Sequence, residues 1–105
     1  MSQFDVYVNP SGATRKAFPY LVDIQSPVIS EIATRLVVPL VRSDSFVKER
    51  LVGLTPEVEH QGEKYLLLIP QLASVPARIL QNPIGSLSQM RDEIIAALDF
   101  AVTGI

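Results

Sequence analysis

No cysteine occurs in these 105 residues. The chain therefore has no disulfide, no thiolate nucleophile and no cysteine-bearing metal site, a usage that suits a reducing cytoplasm. Histidine is nearly absent too, with His60 alone. A single imidazole signals no histidine-rich metal site, and no Ser-His-Asp pattern, Gly-rich phosphate loop or metalloprotease motif is present. Basic charge is scarce: nine Lys and Arg face eleven Asp and Glu, for a net charge of -2 and a pI near 5.2. A protein that lives on a nucleic acid backbone draws most of its affinity from a basic face, so direct nucleic acid binding is disfavoured. No apolar run approaches the roughly 18 residues of a membrane span, and Met1 to Asp5 carries neither a basic region nor an apolar stretch. The expected protein is soluble, unsecreted and cytoplasmic, with no cofactor and no membrane contact.

Apolar residues are what the chain has in quantity. They make up 48% of it, with a mean hydropathy of +0.27, in a chain whose length allows one domain spanning residues 1–105. A domain this small leaves much of its surface exposed, so the surplus implies a homo-oligomer.

Along the chain, Phe4, Val6 and Val8 alternate with Asp5 and Tyr7, the period of a half-buried strand, until Asn9-Pro10-Ser11-Gly12 breaks it. A polar loop through Lys16 leads to a nearly all-apolar strand, Tyr20 to Ser26, ended by Pro27. Val28 and Ile29 follow in a turn region where two adjacent branched side chains are hard to bury together. Arg35 to Leu40 is a third strand, and its Pro39 is expected at a strand end or edge. Val41 to Pro56 reads as one or two helical turns or an irregular excursion. Val58 to Ile69 reads as a hairpin about Gln61-Gly62, where the glycine supplies the positive φ of a tight turn. Ala73 to Leu80 is a last short strand.

The closing stretch, Ser86 to Ile105, is predicted as a helix. Ser86-Leu87-Ser88-Gln89 fits a capping box. From there Leu87, Met90, Ile94, Leu98, Ala101 and Ile105 recur at helical spacing, with Ile95, Ala97 and Val102 beside them at about 100° per residue. That face should be buried on a sheet, with Asp92, Glu93, Asp99 and Thr103 in solvent. Phe100 also points away, as a partner anchor or a lone exposed aromatic, and the apolar end Thr103-Gly104-Ile105 is expected to lie against something. The composite is a small antiparallel sheet or partly open barrel with one terminal helix, α+β or mainly β in class. Two isolated polar residues have ordinary explanations: His60 as a solvated strand-end residue, and Asp23 as either a solvated strand position or a paired, partly buried carboxylate.

Gln3-Phe4-Asp5-Val6-Tyr7, Val22-Asp23-Ile24-Gln25-Ser26, Arg35-Leu36-Val37-Val38-Pro39-Leu40, Ala73-Ser74-Val75-Pro76 and Gly104-Ile105, in this order and spacing, resemble the CcdB family of toxins from bacterial toxin-antitoxin modules. The resemblance covers essentially the whole chain. It implies an SH3-like barrel of antiparallel strands with a C-terminal helix, assembled as a two-fold dimer. It also implies partners: the A subunit of DNA gyrase, trapped with cleaved DNA, and a cognate CcdA-like antitoxin whose disordered segment wraps the toxin. On the matching positions, gyrase contact falls to Gln3, Phe4, Tyr7, Ser26, Val28, Asp99, Thr103, Gly104 and Ile105, and antitoxin contact to Val28, Ile29, Phe100, Gly104 and Ile105. Three positions depart from the family pattern: Thr103 replaces a tryptophan, Asp99 an asparagine and Val28 an isoleucine. Loss of an interface tryptophan costs up to a few kcal/mol of affinity, roughly the worth of a hot-spot aromatic. Either gyrase binding is weaker here or Phe100 shares the role.

Two rival functions follow from the same barrel. One is an antitoxin-binding homologue with weak or lost gyrase activity. The other is a ribonuclease resembling MazF, which would need a basic groove with acid-base groups held together. The scattered, outnumbered cations argue against the second, and the chain is expected not to be an enzyme.

Overall fold

The structure is a computed structural model and describes residues 2–26, 32–44 and 54–104. Seven strands form one antiparallel sheet: β1 (Asp5–Val8), β2 (Tyr20–Asp23), β3 (Thr34–Arg42), β4 (Glu57–His60), β5 (Glu63–Leu67), β6 (Ala73–Pro76) and β7 (Gly85–Ser86). Their spatial order is β4-β5-β3-β2-β1-β7, with β6 alongside β3. One α-helix among the described residues, α1 (Arg91–Thr103), follows. The sheet curls into a nearly closed barrel, the α+β, SH3-like architecture expected of the sequence.

Side-chain alternation explains why the strands are so apolar. Val6, Val22, Val38, Leu40, Val58, Tyr65 and Leu67 point to one face and pack with Leu87, Ile94 and Ala97 of the helical segment. The intervening Tyr7, Leu21 and Val37 point to the other face and pack on Leu80. Farther along, Val41, Leu66 and Leu68 meet Phe18. With both faces covered, strands read as continuous apolar runs rather than alternating ones. For this reason β1 departs from the expected half-buried pattern: Tyr7 is fully buried while Val8 is exposed.

Pro39 lies inside β3 rather than at its end. It pairs with Leu21 of β2, and its carbonyl accepts the Leu68 N–H on the opposite side. On that side the partner of β3 changes, from β6 along Thr34 to Val37 to β5 along Leu40 to Arg42. The missing N–H falls in the gap between two partner strands, where no ladder bond is lost. The hairpin is as predicted: Gln61 and Gly62 connect β4 to β5 with φ of 53° and 80°, the two positive angles of a type I′ turn. The excursion from Val41 divides, with Val41 and Arg42 in β3 and residues 45–53 outside the described residues.

The helix begins later than the capping box suggests. Ser86 pairs with Asp5 in the β1–β7 ladder, and the Leu87 N–H donates to the Phe4 carbonyl, so this backbone is committed to the sheet. The Ser86 hydroxyl still accepts the Ser88 N–H at 3.2 Å. A 3-10 turn over Ser88–Met90 then leads into α1 without a side-chain cap. Leu87, Ile94 and Ala97 are buried and Met90, Ile95 and Leu98 partly so, whereas Ala101 and Val102, expected on the buried face, are exposed. The apolar stripe outruns the core that covers it.

His60 closes the barrel and is not a solvated residue. It ends β4, at one extreme of the strand order, and packs against Gly85 of β7 at the other. A Cβ placed on Gly85 would lie 2.9 Å from His60 Cε1 and 3.2 Å from Nδ1. The imidazole stands edge-on to Tyr20 at 4.8 Å between centroids and 6.2 Å from Tyr65, while the two tyrosines lie 5.5 Å apart. With 6% exposure and Nε2 without a hydrogen-bond partner, the ring is best accommodated neutral, and desolvation lowers its pKa below the usual 6.5.

Two outcomes are expected. Gly85→Ala should destabilise the fold by about 1–3 kcal/mol, because the aromatic cluster leaves His60 no room to retreat. The loss should shrink when His60→Ala is present too, a coupling that a double-mutant cycle of urea denaturations measures. The second outcome concerns pH. His60 titrates near 6.5 once unfolded but lower when folded, so below pH 6.5 the unfolded chain binds more protons and stability falls toward the folded pKa. Melting curves between pH 8 and pH 5 should show this decline at up to about 1.4 kcal/mol per pH unit, and His60→Gln should remove it.

Candidate functional site

The residues assigned to partner contact fall into two groups of described positions. The first gathers around the end of β2. Gln3 Nε2 donates to the Ile24 carbonyl at 3.2 Å, and the Phe4 N–H donates to the Asp23 carbonyl. Gln3 and Ser26 are partly exposed. Phe4 is 2% exposed, with its ring in the main core and its backbone at φ 72°. A bulky residue in the left-handed region costs about 1–3 kcal/mol and persists only where the surroundings over-determine it. Here they do: its N–H is bound to Asp23 and its carbonyl takes the Leu87 N–H. The strained residue turns the chain so that Gln3 lies against β2 while Phe4 enters the core.

Tyr7 offers no surface in the single chain. It is fully buried in the second cluster, and its hydroxyl lacks a hydrogen-bond partner. Burial raises its pKa above 10, helped by the nearby carboxylates of Asp5 and Asp23 and opposed by Arg35. Phe4 and Tyr7 are thus core residues, in the first and second clusters respectively.

The second group is the last turn of α1. Asp99, Phe100, Thr103 and Gly104 are all exposed, with Phe100 at 39% and its neighbour Val102 at 77%. Gly104 adopts φ 75° and its N–H donates to the Phe100 carbonyl at 2.9 Å. This is the left-handed helix cap that glycine accepts at least cost. The Thr103 hydroxyl donates to the Asp99 carbonyl at 2.6 Å, so its polar group is spent within its own helix. Val28, Ile29 and Ile105 lie outside the described residues.

A feature that the assigned positions do not include sits beneath the first group. Asp23 is fully buried and Arg35 is 2% exposed. Arg35 Nε donates to Asp23 Oδ2 at 2.8 Å, and Nη2 lies 2.7 Å from the same oxygen although it meets no acceptor at a hydrogen-bonding angle. Asp23 Oδ1 accepts the Gln25 N–H at 2.9 Å, and Gln25 Oε1 accepts the Leu36 N–H at 3.1 Å. Of the two readings of Asp23, the paired carboxylate is the one found, buried wholly rather than in part. An aspartate between Val22 and Ile24 and an arginine opening an apolar strand were the only signals of it.

Other cations are also matched by anions. Arg42 pairs with Glu63 on the barrel exterior, and Lys64 lies 3.9 Å from Glu57. Tyr65 donates to Glu63 at 3.2 Å, and its pKa is pushed up to about 12, chiefly by burial and then by that hydrogen bond. No helix among the described residues is long and apolar enough to cross a membrane.

Compared with known families, the chain matches the family described as CcdB protein over residues 3–104. That span takes in every strand, the helix, the Gln3 surface and the capping Gly104. The chain therefore belongs to the CcdB family, the toxins of toxin-antitoxin modules.

Proposed function

We propose that this chain binds the A subunit of DNA gyrase, holds the enzyme in its cleaved complex with DNA, and is neutralised by a CcdA-like antitoxin. The observation that carries this reading is the family match over residues 3–104. The exposed helix end, with Asp99, Phe100, Thr103 and Gly104 presented to solvent, supports it. The action is by binding alone. A protein that prefers the cleaved enzyme over the resealed one shifts that population in proportion to its differential affinity.

The protein works as a homodimer in the cytoplasm. Exposed apolar side chains at Val8, Ile32, Leu72, Ile84, Phe100 and Val102 support self-association, and two helix ends related by a two-fold axis would suit a two-fold gyrase A dimer. With Thr103 small and its hydroxyl turned to Asp99, Phe100 is the aromatic left in the last turn, and it shares the anchoring role. The same substitution favours a second reading, a homologue that keeps antitoxin binding with weakened gyrase activity.

Expression in cells with and without a gyrase A mutation that confers resistance separates the two. The proposal expects growth arrest only in the sensitive strain, and no arrest in either strain supports the second reading. Arrest in both, with RNA cleaved by the purified protein, points to the ribonuclease.

Deleting Thr103, Gly104 and Ile105 should cost about 1 kcal/mol of stability through the lost cap, yet weaken a gyrase A fragment roughly 100-fold. A wrapping antitoxin segment should lose less. Paired titrations beside thermal melts report all three values. Sedimentation at micromolar concentration should give twice the chain mass.

A further inference from the structure

The ion pair of Asp23 with Arg35 lies outside the assigned contact positions, yet it bonds into the same few residues. We infer that Asp23 and Arg35 form a positioning pair for the Gln3 and Ser26 surface: they touch no partner themselves but fix the backbone that presents those side chains. The inference rests on the proposed reading that Gln3 and Ser26 contact the gyrase A subunit.

Asp23 ties together three segments. Its backbone carbonyl takes the Phe4 N–H, its Oδ1 takes the Gln25 N–H, and its Oδ2 takes Arg35 from β3. Gln25 then grips β3 a second time through the Leu36 N–H, next to the bond from the Ile24 N–H to the Leu36 carbonyl. Gln3 rests on the Ile24 carbonyl. The chain leaves the regular β2 ladder after Asp23, so side-chain acceptors take over where ladder bonds end. Without them, buried backbone N–H groups would be unpaired. Because the pair is 0% and 2% exposed, its charges cannot turn to water, and any displacement of Asp23 moves Phe4 and Gln25 with it.

A buried pair is an expensive way to obtain stability alone, since apolar residues of similar volume often serve as well. Its particular contribution here is direction. The carboxylate can meet Gln25 and Arg35 together in one orientation only, and that orientation sets where Ser26 leaves the sheet.

The test uses the full-length protein, with Asp23→Asn/Arg35→Met as the main variant. Asparagine keeps an acceptor for Gln25, methionine fills the arginine volume, and the ion pair is gone. Arg35→Lys is the milder variant, keeping the charge but not the guanidinium fork. At a temperature where circular dichroism shows each protein fully folded, the double variant should bind a gyrase A fragment about tenfold more weakly, with Arg35→Lys in between. Hydrogen exchange at Phe4, Gln25 and Leu36 should accelerate in the same order while the β4–β5 hairpin is unchanged.

Exchange in the unmodified protein provides a check that needs no variant, because Gln25 and Leu36 amides should be as protected as those of central β3. Loop-like exchange there, or folded variants with unaltered affinity, overturns the inference. Failure of the unmodified protein to bind the fragment overturns the gyrase reading instead, and the exchange data still judge the positioning.

Discussion

Arg35 reaches Asp23 across the β2–β3 ladder, with both side chains withdrawn from water, and the Gln25 and Phe4 amides bond to the same aspartate. A lone buried charge costs several kcal/mol, and breaking such a pair at one partner costs about 3–5 kcal/mol. The surrounding backbone is therefore held to a narrow set of positions. β3 lies at the centre of the sheet, with β2 on one side and β6 then β5 on the other. The amino-terminal segment is pinned through Phe4, which tolerates a left-handed backbone because its N–H and carbonyl are both bound.

From that frame the functional geometry follows. The core packs Leu87, Ile94 and Ala97 of the helical segment against the sheet, which fixes the direction of α1. The last turn then projects beyond the core, leaving Phe100 and Val102 in solvent and Gly104 to end the helix. The first two-thirds of the helix holds the fold, and its last turn stands clear of the core. His60 packs across the opposite edges of the barrel within an aromatic cluster, and no backbone ladder joins β4 to β7 among the described residues.

Much of this was legible in the residues because the physics was local. Gln61-Gly62 specifies its turn through backbone angles, and the periodicity of Leu87 to Leu98 specifies a helix face. What was not legible depends on neighbours distant in sequence. Asp23 looks the same whether it faces water or Arg35, twelve residues away, and His60 is buried only because β7 returns from residue 85. Pro39 is tolerated within β3 because two other strands exchange places beside it. Ser86 looks like a helix cap, but Phe4 claims the next amide. Val102 fits the buried face by spacing, yet the core ends before reaching it. The positions assigned to partner contact came from resemblance to the family rather than from chemistry, since a binding surface carries no short motif of its own.

The proposed action is by binding alone, with gyrase held in its cleaved state. The most direct measurement incubates purified protein with gyrase, ATP and supercoiled plasmid, then adds detergent and protease to reveal DNA trapped in the cleaved complex. Linear DNA should increase with protein concentration, require gyrase, and disappear when a CcdA-like antitoxin is added. Intact plasmid at all concentrations, with gyrase turnover unaffected, would contradict it.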